Sequence, residues 1–343
     1  MAQRVVEISA PSRLHFGFLS FGHAQQRQYG GVGVMLEAPR LSLRLVESSS
    51  FRATGPLAER VRAFTRRWAE SWELPRLPRV HIRVLTVPDE HVGLGVGTQL
   101  GLAVAAGLNR LAGVPDDTLD VMARRVARGL RSSVGTYGFR HGGLIAENGK
   151  LADETLGQLV AQFQLPSEWR FVLFRPTQLT GLAGRSEQQA FERLPPVDER
   201  VRDRLWRELV EGILPAAQRG DLDAFGESVY RYGRQAGMCF AAYQGGPFAN
   251  PTLASWVERA RKLGVRGVGQ SSWGPTLFGI LPNEDAAAEF ARDLQASPGG
   301  DELDILMTAA SPAGASIDES GYSVTQDVIR STAPRRNAYK PAS

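Results

Sequence analysis

Apolar and polar residues change period along this chain, and the changes lay out its elements. Val5 to Ala10 reads as a strand that Pro11 should end. Leu41, Leu43 and Leu45 alternate with Ser42 and Arg44, and Val80, Ile82 and Val84 share one face of the run Arg79 to Val87. Both have the two-residue period of a half-buried strand. Helical spacing takes over from Glu59 to Trp72, from Leu100 to Leu111 and from Thr118 to Arg128. Gly142 to Leu151 reads as a hairpin turning at Asn148-Gly149 in type I′ geometry.

Leu165-Pro166-Ser167 breaks the pattern ahead of a fresh strand, Phe171 to Phe174. Val201, Leu205, Leu209 and Ile213 then recur at fourfold spacing, and Leu222, Phe225 and Val229 open another helix. Asn250-Pro251 supplies an N-cap followed by a first-turn proline, with Gly264 as the stop. Strands around Val265 to Val268 and Thr276 to Leu281 and a helix from Asp285 to Leu294 complete the series. We expect domains at residues 1–165 and 166–330 and a loose polar tail at 331–343. Strands interleaved with helices predict an α+β or α/β fold.

Composition narrows the class. The 343 residues are 43% hydrophobic and 22% charged, ordinary for a globular chain without a membrane role. The one cysteine, Cys239, excludes an internal disulfide framework, suits a reducing cytoplasm and reads as a small core residue. Residues Met1 to Ile8 lack a secretory pattern, and the apolar run near Ala103 is too short to span a bilayer. A net charge of +4 favours anionic small molecules. The basic residues are scattered without interleaved aromatics, which argues against nucleic acid.

The most informative stretch is Val92-Gly93-Leu94-Gly95-Val96-Gly97-Thr98-Gln99, set between the Arg79 to Val87 strand and the Leu100 helix. A glycine loop at a helix start offers backbone N–H groups and a positive dipole end to a phosphate. It has no lysine, so it is not a Walker loop, and Thr98 stands where a dinucleotide fingerprint needs its third glycine. Three other segments carry candidate chemistry. Arg13 and His15 share one side of a strand end. Arg128 to Gly138 gathers two arginines, two serines and three glycines, suited to a carboxylate or phosphate. Gly267 to Thr276 places Gln270, Ser271, Ser272 and Trp273 between two strands, more polar groups than a plain hairpin needs.

In this order the segments resemble the GHMP kinase superfamily. Pro11-Ser12-Arg13 resembles its first motif, Gly93-Leu94-Gly95 its Gly-Leu-Gly-Ser-Ser loop, and Gly269 to Thr276 its third motif. The resemblance is closest to the β-ribofuranosylaminobenzene 5′-phosphate synthase branch. That branch carries Ser-Arg-Leu-His-Phe-Gly, Gly-Leu-Gly-x-Gly-Thr-Gln, Arg-Gly-x-Arg-Ser-x-x-Gly-Thr-x-Gly-Phe and Gln-Ser-Ser-Trp-Gly-Pro-Thr. They stand here at Ser12 to Gly17, Gly93 to Gln99, Arg128 to Phe139 and Gln270 to Thr276. Gly181 to Phe191, with Arg185 and Glu187, is similar to a further Gly-x-x-Gly-x-x-Glu segment.

The resemblance implies a two-domain GHMP kinase-like fold, ribosomal-protein-like at the N-terminus and ferredoxin-like at the C-terminus. It implies a transferase that joins 4-aminobenzoate to 5-phosphoribosyl 1-pyrophosphate, releasing CO2 and pyrophosphate, in methanopterin synthesis. It further implies Mg2+, small-molecule partners without nucleic acid or membrane, a cytoplasmic location and a homodimer. Candidate catalytic residues are Arg13, His15, Arg131 and Ser132. Candidate phosphate-binding residues are Gly93, Leu94, Gly95, Val96, Gly97, Thr98 and Gln99. Candidate substrate-binding residues are Arg128, Ser133, Gln270, Ser271, Ser272 and Trp273, and no metal ligand is assigned. The alternative is an ATP-dependent GHMP small-molecule kinase. It is weakened because Val96 and Gly97 stand where a kinase places its hydroxyl, which only Thr98 supplies one residue later.

Overall fold

The computed structural model describes residues 3–114, 117–179, 181 and 184–322, apart from the side chains of 184–188 and 321–322. Val6, Ile8 and Ala10 on one strand and Leu41, Leu43 and Leu45 on the next bury the same face, which pins their pairing. They belong to β1 (Gln3–Ser20) and β2 (Tyr29–Glu47). With β3 (Arg52–Thr54), β4 (Val80–Thr86), β5 (Leu144–Glu147) and β6 (Leu159–Phe163) they build a first sheet. A second sheet holds β7 (Arg170–Pro176), β8 (Gly267–Gln270), β9 (Leu277–Leu281) and β10 (Leu303–Thr308). The chain then returns to the first sheet, where β11 (Ser316–Tyr322) pairs with β1.

The second sheet runs β10-β7-β9-β8, all antiparallel. Helices Leu222–Met238 and Pro251–Lys262 precede β8, and Glu284–Ala296 joins β9 to β10. That is the ferredoxin-like arrangement. Helices Ala58–Ser71 and Val96–Ala112 cover one face of the first sheet. Helix Leu222–Met238 bridges the sheets, with Phe225, Val229 and Tyr232 in one core with Leu14, Phe16 and Phe278.

Several expectations change. Pro11 does not end the first strand: the register shifts between Ala10 and Ser12, so Pro11 sits in a bulge where its missing N–H costs no ladder bond. The Gly142 to Leu151 hairpin does not form, because β5 pairs with β2 and with β6. Of its proposed turn, Gly149 alone has a positive φ (73°), whereas type I′ needs two. The third early helix stops at Arg125, and residues 134–141 of the glycine-rich segment form a helix of their own. Residues 331–343, expected as a loose tail, lie outside the described residues, as do the side chains of Arg185 and Glu187.

Candidate active site

Three pieces of the first sheet's surroundings and one turn of the second converge on a cleft of about 640 Å³. The glycine loop leads into helix Val96–Ala112, capped by Gly95 with φ 73°. The Thr98 and Gln99 amides bond to Gly95 O, leaving those of Val96 and Gly97 at the positive helix end. Arg13, on β1, donates its backbone N–H to Leu94 O at 3.0 Å and its Nη1 to Ser272 Oγ at 3.0 Å. Gly93 and Gly95 leave room for these approaches. A Cβ at Gly95 would lie 3.2 Å from Arg13 Cβ.

Ser271 ties the pieces together. Its Oγ accepts from His15 N (3.1 Å) and donates to Gly93 O (2.8 Å), so the β8–β9 turn lies against both the first strand and the glycine loop. Ser272 is held at φ 53°, donates its N–H to His15 O and accepts from Arg13. Such a left-handed non-glycine residue needs surroundings that fix it. Gln270 completes the turn, accepting from Ala249 N and donating to Ser272 O.

The cleft has two unlike ends. Around the glycine loop stand Arg13, Arg60, Arg128 and Arg131, with Glu90 as the one carboxylate among the lining residues, paired to Arg60. Burial, then Arg60, Arg67 and Arg131, push the Arg128 guanidinium down to about 10, and its buried Nε has no hydrogen-bond partner. A buried guanidinium crowded by other cations, with its Nε lacking an acceptor, suits a polyanionic ligand. At the other end Phe18, Phe191, Phe240 and Trp273 interlock, with Phe191 and Phe240 centroids 4.9 and 4.8 Å from Trp273. Arg131 spans the two ends, its Cζ 4.7 Å from the Phe191 ring centre.

His15 sits between them, 4.8 Å from the Phe18 ring and fully buried. Burial first, then Arg13, hold its imidazole well below the usual histidine range, so it stays neutral. Its Nε2 lies 3.0 Å from Ser132 Oγ, and its Nδ1 has no partner.

Most sequence-derived candidates line this cleft: Arg13, His15, Gly93 to Thr98, Arg128, Arg131, Ser132, Gln270, Ser272 and Trp273. Three stand behind it. Gln99 is buried and donates to Gly135 O at 2.8 Å, Ser133 accepts from Gly157 N at 2.7 Å, and Ser271 makes the ties above. Sequence reasoning missed Arg60, Glu90 and the phenylalanine wall. The phenylalanines read as ordinary core positions, and only the fold shows that one side of their cluster is open.

No group of three or more His, Cys, Asp or Glu that could hold a metal occurs among the described residues. A magnesium ion bound through substrate phosphates needs few protein ligands, and Glu90 and Thr98 at the arginine end fit that mode. No described helix is long and apolar enough to cross a membrane.

Comparison with known proteins supports the fold. The family model for the C-terminal part of GHMP kinases matches residues 213–299. Two relatives are named β-ribofuranosylphenol 5′-phosphate synthase. The one from Archaeoglobus fulgidus is 29% identical over 92% of this chain and 100% of its own length. The one from Methanothermobacter thermautotrophicus is 28% identical over 80% of this chain and 88% of its own. Homoserine kinase from Cytophaga hutchinsonii superposes with a TM-score of 0.65 at 15% identity, covering 92% of this chain and 97% of that one.

Proposed function

We infer that this chain, which has the GHMP kinase fold and relatives named as β-ribofuranosylphenol 5′-phosphate synthases, is an enzyme of the same transferase type. It joins a 4-amino- or 4-hydroxybenzoate to 5-phosphoribosyl 1-pyrophosphate, with loss of CO2 and pyrophosphate, in methanopterin-type cofactor synthesis. The observation that carries this reading is the cleft's division into an arginine-rich glycine loop and an aromatic wall, an anion site beside an arene site. A kinase for a small aliphatic alcohol has no use for the second.

The residues divide the work accordingly. The Val96 and Gly97 amides, with Arg13, Arg60 and Arg128, hold the phosphates and stabilise the charge growing on the departing pyrophosphate. Magnesium held by the phosphates with Glu90 and Thr98 would neutralise part of that charge. Phe18, Phe191, Phe240 and Trp273 stack the arene so that the ring carbon bearing the carboxylate faces the anomeric carbon. Arg131, between the two ends, orients the carboxylate. The para substituent pushes electron density to that carbon, and loss of CO2 restores aromaticity, so no base is needed for a ring proton. Holding both partners in register supplies most of the advantage over solution.

The test uses 4-aminobenzoate and 4-hydroxybenzoate labelled in the carboxyl group, each with phosphoribosyl pyrophosphate and Mg2+. Release of labelled CO2 with either, dependent on the pyrophosphate donor, is expected. ADP formation from ATP with no CO2 from either benzoate would replace this reading with the kinase.

A further inference from the structure

Gly97 is the second residue of helix Val96–Ala112 and takes ordinary helical backbone, so its conformation does not call for glycine. Glycine there weakens the helix relative to alanine. What the missing side chain provides is room. A Cβ at Gly97 would run into Arg60 Nη2 and would lie 3.8 Å from Arg128 Cζ, so two guanidinium groups border the space one methyl group would fill. One turn later, Gly101 gives similar clearance to the stem of Arg128. A Cβ there would lie 3.3 Å from Arg128 Cγ and 3.2 Å from the Phe64 ring, over which Arg128 is stacked with its Cζ 4.7 Å from the centre. Arg60 itself belongs to the first turn of helix Ala58–Ser71 and reaches the first turn of another, so it stands near two positive helix ends. Glu90 pairs with it and holds it there.

We propose that Gly97 is a specificity-determining position: by leaving its side-chain space to Arg60, it sets the Arg60 and Arg128 guanidinium groups together at the helix start as a clamp for a diphosphate in preference to a single phosphate. Each planar fork can engage a different phosphoryl group, and a single phosphate leaves one fork unused. A diphosphate also brings the denser negative charge that two crowded cations at a positive helix end call for. All three residues line the cleft, so the clamp opens onto the space a ligand would enter. An alanine at 97 would push Arg60 off the helix start while leaving Arg128 in place. A diphosphate is common to phosphoribosyl pyrophosphate and to a nucleotide; assigning it to the former rests on the synthase reading, whereas the clamp does not.

Calorimetric titration of the intact protein with inorganic pyrophosphate and with inorganic phosphate, in magnesium-free buffer, reads the clamp by itself. The wild type should bind pyrophosphate at least about tenfold more tightly than phosphate. Arg60→Ala should weaken pyrophosphate about ten- to hundredfold, and phosphate far less, through loss of a charge-assisted contact. Gly97→Ala should weaken pyrophosphate about three- to tenfold, with a melting temperature held or raised because alanine favours the helix. In the Arg60→Ala background, Gly97→Ala should cost nothing further, since the contact it displaces is already gone. Additive losses would mean that the alanine blocks the anion itself. That result, unchanged pyrophosphate affinity in Gly97→Ala, or no wild-type preference for pyrophosphate would each overturn the proposal. Phosphoribosyl pyrophosphate should displace bound pyrophosphate from the wild type. Displacement by ATP alone, or absence of CO2 release from either benzoate, would leave the clamp standing and overturn only the synthase reading.

Discussion

The two ends of the cleft are built on opposite physical terms. Around the glycine loop positive charge gathers, with Arg13, Arg60, Arg128 and Arg131 lining the cleft alongside one lining carboxylate, Glu90. Around Trp273, stability comes from ring contacts at 4.8–5.8 Å, and the Trp273 Nε1 is buried without a partner. The first end is costly to maintain unless an anion is to be held there; the second is an ordinary core cluster left open on one side. Added salt should therefore weaken binding at the first end and leave the second nearly untouched. Substitutions should separate the two ends in the same way, through the KM of one substrate or the other.

The largest effect is expected at Gly95. A valine there takes φ 73° at a cost of roughly 1–2 kcal/mol or more, and its Cβ presses on Arg13. Relief by moving the loop removes the amides and the Arg13 contact together. Gly95→Val should lose about two to three orders of magnitude in kcat/KM, read through the phosphoribosyl substrate. Circular dichroism checks the fold, and wild-type affinity for phosphoribosyl pyrophosphate in a folded variant would sink the prediction. Gly97 differs: an added Cβ runs into the Arg60 guanidinium, which can swing aside, so Gly97→Val should cost less.

Arg13→Ala comes next. Loss of a charge-assisted contact is worth about 1.5–3 kcal/mol, or roughly ten- to hundredfold in kcat/KM. Arg13→Lys should recover part, since an ammonium cannot span a phosphate and Ser272 Oγ as a planar fork does. Thermal melts alongside the kinetics separate this from stability, and unchanged kinetics in Arg13→Ala would return the residue to a structural role.

At the aromatic end, Phe191→Leu keeps an apolar side chain but gives up ring contacts with Phe18, Trp273 and the Arg131 guanidinium. Ring pairs contribute about 0.5–1.5 kcal/mol, so the KM for the benzoate should rise about two- to tenfold while that for the phosphoribosyl substrate holds. An equal rise in both would erase the distinction between the ends.

What could be read from the chain follows the same division. The glycine loop announces itself, because strand, Gly93-Leu94-Gly95 and helix are contiguous and their chemistry is local. The aromatic wall does not. Phe18 comes from β1, Phe191 from the helix Gly184–Arg193 and Phe240 from beyond Met238, each with the spacing of a core residue. Nothing short of the tertiary fold shows that they share a surface. Long-range pairing hid other features for the same reason: β11 returns across the whole chain to β1, and β5 pairs with β2 from far earlier in the chain. Glu147 sits in a buried strand end with no motif around it, and the Ser133 amide that it accepts from arrives from another segment.

The smallest effect is expected at Cys239, which lies under the aromatic cluster and lines a separate hollow. Burial pushes its thiol up to about 11, and its Sγ is 3.7 Å from Gln235 O within the same helical turn. A thiol so rarely ionised near neutral pH is a poor nucleophile. Cys239→Ala should thus change stability by about 1 kcal/mol or less and leave both KM values and kcat where they were. Iodoacetamide should modify the native protein far more slowly than the unfolded one. If a folded Cys239→Ala protein lost most of its turnover, the aromatic end would contain a reacting group as well as a stacking surface. The contrast between a charged, chemically active end and a shape-selective one would then fail.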